Sequence, residues 1–97
     1  MKIEILDSAK RDLTDGFYFY EKQGQGLGSY FLTNLYADIE SLRTYYGIHS
    51  KPYKDYHRLL AKRFPFAVFY KMGEDSVRIY AILDCRRNPS WIRNRLP

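Results

Sequence analysis

The sequence contains a single cysteine, Cys85, among its 97 residues. One cysteine excludes an intramolecular disulfide, and it makes a metal centre built from several thiolates implausible. We therefore expect a protein without a metal or another cofactor. Low cysteine usage is also typical of a reducing compartment, which favours the cytoplasm as the location.

Long apolar runs are also missing from the sequence. No stretch approaches the roughly 18 apolar residues that a membrane-spanning helix requires. The N-terminal segment MKIEILDSAKRD has charges inside its only apolar patch, so it lacks the uninterrupted apolar region of a secretion signal. Low-complexity tracts, internal repeats and linker-like composition changes are absent too. The sequence thus predicts one domain, residues 1–97, with no membrane partner.

Aromatic residues and positive charge are abundant by comparison. Aromatic side chains make up 18% of the sequence, with ten tyrosines and six phenylalanines, and the net charge is +5. Residues 1–48 carry five Lys/Arg and seven Asp/Glu, whereas residues 49–97 carry eleven Lys/Arg and four Asp/Glu. A basic C-terminal half favours an anionic partner such as nucleic acid, phosphate or an acidic protein segment. A solvated basic surface without a partner is an equally good interpretation.

The N-terminal half shows one short strand pattern and two helix patterns. Residues 2–6 (KIEIL) alternate with period 2 and predict a strand. Asp7 or Ser8 then offers an N-cap for a first helix that Gly24 would end. Its apolar face is formed by Ala9, Leu13, Phe17 and Tyr20.

A second helix follows a glycine-rich linker. Apolar residues recur at helical spacing and Gly47 supplies a stop; they are Phe31, Leu35, Ile39, Leu42 and Tyr46. The linker GQGLG, residues 24–28, has the look of a phosphate-binding loop, but no strand precedes it and no Lys-Ser/Thr pair follows. A tight bend is the better interpretation, and it predicts an antiparallel helical hairpin.

The C-terminal half reads as three strands and a short helix. Strand patterns cover residues 57–63, 64–71 and 77–85, and residues 72–76 (MGEDS) form a hairpin loop. Asn88-Pro89 provides an N-cap and a first-turn proline for a helix over residues 90–96. The sequence therefore predicts an α+β fold of order β-α-α-β-β-β-α. The helical hairpin should pack on one face of a small, mostly antiparallel sheet.

Period 2 also assigns the strand side chains to faces of the sheet. In the middle strand Phe64, Phe66, Val68 and Tyr70 form the expected core set. In the last strand the expected core set is Val77, Ile79, Ala81 and Leu83. The other face would then carry Arg78, Tyr80, Ile82, Asp84 and Arg86. We expect this second face to be partly open and basic.

Three stretches carry a resemblance to a known family: AKRDLTDGFYFYEKQGQGLG, RLLAKRFPFAVFYK and VRIYAILDCRRNPSWI. They resemble the RelE/ParE superfamily of toxins from bacterial type II toxin–antitoxin modules, and they are most similar to the ParE-like branch. The resemblance implies a plasmid-stabilisation-type, cytoplasmic toxin neutralised by a cognate antitoxin with an acidic, amphipathic C-terminal segment. It implies growth inhibition either by poisoning DNA gyrase or by cleaving mRNA on the ribosome. Operator binding belongs to the antitoxin in such modules, so direct sequence-specific DNA binding is not expected.

The resemblance and the basic residues together define the candidate site. A metal-independent ribonuclease needs a base, an acid and cations, for which the candidates are His57, Lys62, Arg63 and Arg86. The candidate target-binding residues are Arg58, Lys62, Arg63, Arg78, Arg86, Arg87 and Trp91. No His or Tyr follows the last strand, which departs from the ribonuclease pattern and favours gyrase as the target. The alternatives are ribosome-dependent mRNA cleavage and a degenerate, non-toxic binding module. His57 has the simpler interpretation of a strand-end residue, and Trp91 that of a residue that pins the last helix.

Overall fold

The computed structural model describes residues 1–97 and contains four strands and four helices. They are β1 (Lys2–Ile5), α1 (Asp7–Glu21), α2 (Leu27–Glu40), α3 (Leu42–Tyr45), β2 (His57–Leu60), β3 (Phe66–Met72), β4 (Ser76–Asp84) and α4 (Pro89–Arg95). The single-turn α3 continues the second helix, so the predicted α+β order is confirmed. No helix combines the length and the apolar character needed to cross a membrane.

The strands form one mixed sheet in the order β1-β4-β3-β2. The pairs β2–β3 and β3–β4 are antiparallel, as the sequence predicted. The exception is β1, which runs parallel to β4, with Ile3 opposite Val77. A parallel pair needs a crossover connection, and the remaining elements of the chain provide it.

The glycine-rich linker is a tight turn between α1 and α2. Its left-handed residue is Gly26, at φ 87°, and not Gly24, which we expected to end the first helix. Helix α2 begins at Leu27, inside the predicted linker. The Glu21 carboxylate accepts hydrogen bonds from the amides of Gly26 at 3.1 Å and Gly28 at 2.9 Å. This side chain occupies the amides that would otherwise attract an anion, so the turn is closed to phosphate.

Two helix boundaries differ from the sequence prediction. The second helix is interrupted at Ser41, whose hydroxyl donates to the Asp38 carbonyl at 2.6 Å; such back-bonding competes with the helical pattern. The first helix begins directly at Asp7, with Leu6 at the N-cap position and no side-chain cap. The predicted capping residue Ser8 instead donates to the Tyr80 carbonyl at 2.8 Å. Its hydroxyl thus attaches α1 to β4.

A β-bulge changes the faces of β4. Phe69 lies opposite Ala81 and Tyr70 opposite Ile79, so Tyr80 is an extra residue. An extra residue shifts the alternation by one position. Val77 and Ile79 therefore lie under the helices as expected, but beyond Tyr80 it is Ile82 that joins that core, and the predicted assignment of Ala81 and Leu83 is wrong. In β3 the predicted set Phe64, Phe66, Val68 and Tyr70 packs in the main core.

The second face of the sheet carries its own apolar cluster, contrary to the expected open surface. Helix α4 covers this face at one end and the turn at residues 53–56 covers its middle. The buried residues are Tyr56, Ala67, Phe69, Ala81, Leu83, Ile92 and Leu96. Basic residues of this face therefore lie at the margins of a closed core. Strands β2 and β3 are also shorter at their junction than predicted, so Lys62 and Arg63 lie in a turn.

Candidate functional site

The β2–β3 turn and the end of β4 meet at one end of the sheet. The Cys85 amide donates to the Pro65 carbonyl at 2.9 Å. Pro65 precedes β3, so the N–H that proline lacks removes no hydrogen bond between the strands. This contact places the exposed Arg63 and the exposed segment 85–87 at the same end of the molecule.

Arg86 is held by an acidic neighbour at this end. Its guanidinium donates to the Asp84 carboxylate from Nε at 3.0 Å and from a terminal nitrogen at 2.7 Å. The hydrogen bond from the Arg86 side chain lowers the pKa of Asp84 below its ordinary value of 3.8. The same pairing raises the pKa of Arg86. Arg86 is therefore a fixed cation at both neutral and mildly acidic pH.

Trp91 lies between two arginines of the C-terminal region. The guanidinium carbons of Arg87 and Arg95 are 4.4 Å and 5.5 Å from the centroid of the indole ring. Helix α4 itself is anchored by the buried residues Ile92 and Leu96, while Trp91 is only half-buried. The indole is thus held as part of a cationic, aromatic surface, and the anchoring role expected for Trp91 falls mainly to its neighbour Ile92.

A groove of about 300 Å³ runs between α1, β4 and α4 beside this surface. Its apolar lining includes Phe19, which is 54% exposed, together with Phe66 and Trp91. Its charged lining contains both signs, with Arg87 and Arg95 from the C-terminal region and carboxylates from α1 and β4; the carboxylates are Asp12, Asp15 and Asp84. We call this groove and the exposed Arg86 next to it the end groove. Its mixture of rings and arginines suits contact with a protein or nucleic-acid surface.

Asp12, which the sequence analysis did not single out, organises the end groove. Its carboxylate is buried, accepts from the Ile82 amide at 3.0 Å and forms an ion pair with Arg95. Burial raises the pKa of Asp12 above its ordinary value, although the Ile82 and Arg95 hydrogen bonds act in the opposite direction. The sequence did contain a signal, since Asp12 follows Ala9 by three residues and thus falls on the apolar face of α1.

His57 lies at the other end of β2, and its ring is engaged structurally. The imidazole stacks on Tyr70 with 5.1 Å between ring centroids, and Nδ1 is 2.9 Å from the His49 carbonyl. Lys62 lies five positions after His57, a distance of about 16 Å along an extended chain. The four nuclease candidates His57, Lys62, Arg63 and Arg86 therefore do not form one cluster with His57 as its base.

A second basic group lies on the sheet face opposite the hairpin of α1 and α2. Lys71 and Arg78 are directly paired across β3 and β4, and Arg58 lies farther along the same face on β2. The Lys71 ammonium is 4.5 Å and 5.6 Å from the ring centroids of Tyr56 and Tyr80, and Arg78 lies 3.5 Å from Glu4. We call Arg58, Lys71 and Arg78 the face cluster. Lys71 was not among the candidate residues named from the sequence.

The candidate target-binding residues thus divide among three places. Arg86, Arg87 and Trp91 come together at the end groove. Lys62 and Arg63 lie in the turn at that end of the sheet, where the Lys62 amide donates to the Asp38 carboxylate at 3.2 Å. Arg58 and Arg78 belong to the face cluster.

A further groove, of about 340 Å³, lies on the outer side of the helical hairpin. Tyr18 and Tyr36 line it and are 59% and 48% exposed. Lys10 is its one charged lining residue, and the others are Leu13, Thr14, Phe17 and Leu32. An apolar groove between two antiparallel helices with a single cation at its rim suits an amphipathic, acidic helix.

Comparisons with known proteins identify the fold. No protein-family model matches the chain, and no curated protein matches it either. Among solved structures, it is similar to a chain of "Chromosomal ParDE TA system from P. aeruginosa", with a TM-score of 0.77 and 15% sequence identity. The similarity covers 84% of this chain and 92% of that chain. At this level of identity the likeness establishes a shared fold, of the ParE/RelE-like type.

Proposed function

We propose that this protein is the toxin of a type II toxin–antitoxin module, that it inhibits growth by acting on DNA gyrase, and that a cognate antitoxin neutralises it. One observation carries the proposal: the fold similarity to a chain of a ParDE TA system, which spans 84% of this chain and 92% of that one. The three sequence stretches that resemble the RelE/ParE superfamily add support of a different kind, because that resemblance rests on residue patterns. A cytoplasmic location follows from the proposed target.

The arrangement of the candidate residues supports gyrase over mRNA as the target. Cleavage by a ribose 2′-hydroxyl needs a base and an acid within hydrogen-bond reach of the scissile phosphate. His57 is stacked on Tyr70 and bonded to a backbone carbonyl, at the far end of β2 from Lys62 and Arg63. Tyr20 lies near Arg86, but it packs against Phe31 and Phe64, and burial raises its pKa. The end groove itself is lined by arginines, an indole and carboxylates, two of which pair with arginine, and its lining contains no histidine or tyrosine. It therefore suits binding better than acid–base catalysis.

The end groove is the proposed contact with the target. Trp and Arg are the residues that contribute most often to the binding energy of protein interfaces. Arg86 and Arg87 are exposed, and Trp91 is kept at the surface between Arg87 and Arg95. The ion pair between Asp12 and Arg95 fixes α4 in this position.

The outer groove of the hairpin supports the antitoxin part of the proposal. Its exposed tyrosines and its single cation, Lys10, match an amphipathic segment with acidic residues. This groove and the end groove lie on different sides of α1, because they share no lining residue.

The alternative function, ribosome-dependent mRNA cleavage, is favoured by the face cluster. Arg58, Lys71 and Arg78 lie on one sheet face, where the Lys71 ammonium lies over the rings of Tyr56 and Tyr80. Cations interleaved with aromatic rings are typical of surfaces that bind single-stranded nucleic acid. Substituting Lys71 and Arg78 separates this function from the gyrase function, since neither residue lines the end groove.

Three experiments test the proposed function. Expression of the chain alone should arrest bacterial growth, and co-expression with the product of its neighbouring gene should restore it; normal growth in the first case contradicts toxicity and supports a degenerate binding module. Purified protein with gyrase, plasmid DNA and ATP should accumulate cleaved plasmid. Codon-specific cuts in ribosome-bound mRNA, without cleaved plasmid, would refute gyrase as the target and support the alternative.

A further inference from the structure

Residues 46–50, which we call the edge strap, lie along the free edge of strand β2. This strand is the last in the sheet order, so one side of it has no neighbouring strand. The Arg58 amide donates to the Ser50 carbonyl at 2.9 Å, and the Tyr70 hydroxyl donates to the Tyr46 carbonyl at 2.8 Å. An uncovered edge is a template for pairing with another chain. The edge strap closes part of that template.

Two histidines pack against the same buried tyrosine at this point. The His57 ring stacks on Tyr70 with 17° between the ring planes, and the His49 ring meets Tyr70 edge-on at 6.0 Å between centroids. Nδ1 of His57 is 2.9 Å from the His49 carbonyl. A carbonyl only accepts hydrogen bonds, so this Nδ1 carries the proton and donates. The contact joins β2 to the edge strap through the backbone of His49.

The His49 side chain has a buried nitrogen without a partner. Its Nε2 atom is enclosed and makes no hydrogen bond. The titratable groups packed around it are His57 on β2 and Tyr70 on β3, and the Tyr70 hydroxyl is bonded to the carbonyl of Tyr46, directly after α3. The Arg58 side chain lies on the opposite face of the sheet. Neither imidazole forms an ion pair with a carboxylate. A proton on Nε2 would therefore be buried, without a hydrogen-bond partner or counter-ion, and next to His57, which is costly.

We propose that His49 is a proton-sensitive catch for the edge strap: neutral His49 keeps the strap closed on β2, and protonation releases it. The closed form excludes water from Nε2, whereas the released form exposes the ring to water. The released form then exposes the Arg58 amide and the free edge of β2. This proposal is independent of the proposed toxin function, because it concerns the stability of one segment of the fold.

The direction of the pH dependence follows from linkage. Burial, and then the charge of His57, lowers the pKa of His49 from its ordinary value of 6.5. The released form therefore binds a proton more readily than the closed form does. Closure is fully stable above about pH 6.5 and weakens as the pH falls below that value, until the pKa of the closed form is passed.

Amide hydrogen exchange of the full-length chain, measured by NMR at about pH 7.5 and about pH 5 and corrected for intrinsic exchange, tests the catch. Protection of the Arg58 amide should fall roughly 3-fold to 30-fold between the two pH values. The upper value is the limit for the uptake of one proton by a group whose pKa in the released form is the ordinary 6.5. Protection of the Leu6 amide, which donates to the Ile79 carbonyl at 3.0 Å, should not change. In the variant His49→Gln, which cannot titrate, Arg58 protection should be the same at both pH values.

Each other outcome contradicts the catch. Unchanged Arg58 protection in the wild-type protein would show that the strap does not respond to protons. An equal loss in His49→Gln would assign the response to a different group. If that variant fails to fold, the titration of the His49 ring in the wild-type protein decides, because a pKa at or above 6.5 overturns the proposal.

Discussion

The carboxylate of Asp12 accepts a hydrogen bond at 3.0 Å from the backbone amide of Ile82, a residue 70 positions later in the chain. The bond compensates for a local defect of the sheet. Strand β1 ends at Ile5, opposite Ile79, and the bulge at Tyr80 follows. The Ile82 amide therefore points to an edge that has no strand, and Asp12 supplies the acceptor. Because the same carboxylate pairs with Arg95, it joins α1, β4 and α4.

The variant Asp12→Asn should be destabilised by about 1–3 kcal/mol, because a buried carboxylate with two partners is replaced by a neutral amide. The Asn oxygen still accepts from Ile82, but Arg95 loses its ion pair and α4 is held less firmly. Urea unfolding followed by circular dichroism measures the change. Asp15→Asn is the matched control, since Asp15 is exposed in the same groove and its substitution should change stability by less than about 0.5 kcal/mol. Equal effects of the two variants would contradict a special role of Asp12.

Asp84 should contribute an acid-sensitive part of the stability. The pKa of Asp84 in the folded protein is lowered, and the main cause is the hydrogen bond from the Arg86 side chain. The contribution of Asp84 to the free energy of unfolding is therefore complete above its ordinary pKa of 3.8. It is lost as the pH falls through the pKa of the folded protein. The stability difference between the wild-type protein and Asp84→Asn should therefore be constant above about pH 5 and should shrink below about pH 4. Urea unfolding at a series of pH values measures it. The control is Asp75→Asn in the exposed hairpin loop, which should show the same dependence of unfolding free energy on pH as the wild-type protein. If the stability difference between the wild-type protein and Asp84→Asn does not change with pH, the prediction is wrong.

Gly28 is required by the close approach of the two long helices. A Cβ atom at this position would lie 2.7 Å from the Phe17 carbonyl oxygen and from its ring. Gly28→Ala should therefore cost about 1–3 kcal/mol, because backbone atoms must move. The control is Gly47→Ala, where a Cβ meets no atom within 4 Å and φ is not positive; that change should be neutral or slightly stabilising. Thermal unfolding of both variants gives the comparison, and equal melting temperatures would refute the tight contact.

The double variant Arg86→Ala/Arg87→Ala should relieve growth inhibition with little effect on folding. Exposed ion pairs contribute little to stability, so the melting temperature should change by less than about 5 °C. The matched control, Lys71→Ala/Arg78→Ala, removes two cations from the face cluster and should stay toxic. Growth after induction and thermal unfolding are measured for both. A toxic Arg86/Arg87 variant would remove the end groove from the target surface, and a harmless Lys71/Arg78 variant would favour the mRNA alternative.

The fold was predictable where one periodicity applied throughout an element. The 3.6-residue pattern located α1 and α2, and the Asn88 cap located α4, since the Asn88 side chain accepts from the Ser90 amide at 2.7 Å. Alternation failed in β4, because the bulge at Tyr80 depends on the partner strand and leaves no mark in the sequence. The same failure concealed the second core, which needs Ala81 and Leu83 on the face covered by α4.

The candidate site was less predictable because it depends on contacts between distant segments. The sequence named Arg86, Arg87 and Trp91 among the candidate target-binding residues, and the structure brings these three to one groove. Asp12 and Arg95 lie 83 positions apart, so their pairing could not be read from local patterns. Lys71 was overlooked for a related reason, since its tyrosine neighbours belong to other segments.

The parallel pairing of β1 with β4 also has a consequence for synthesis of the chain. Residues 2–5 leave the ribosome before the other elements of this fold, yet their partner strand begins only at Ser76. Non-local pairing of this kind waits for the later segment, and a domain generally folds as a unit once its parts are present. The first strand must therefore remain unpaired during most of translation, and the end groove, which needs α4, is completed last. A nascent copy should have no complete end groove until helix α4 has emerged.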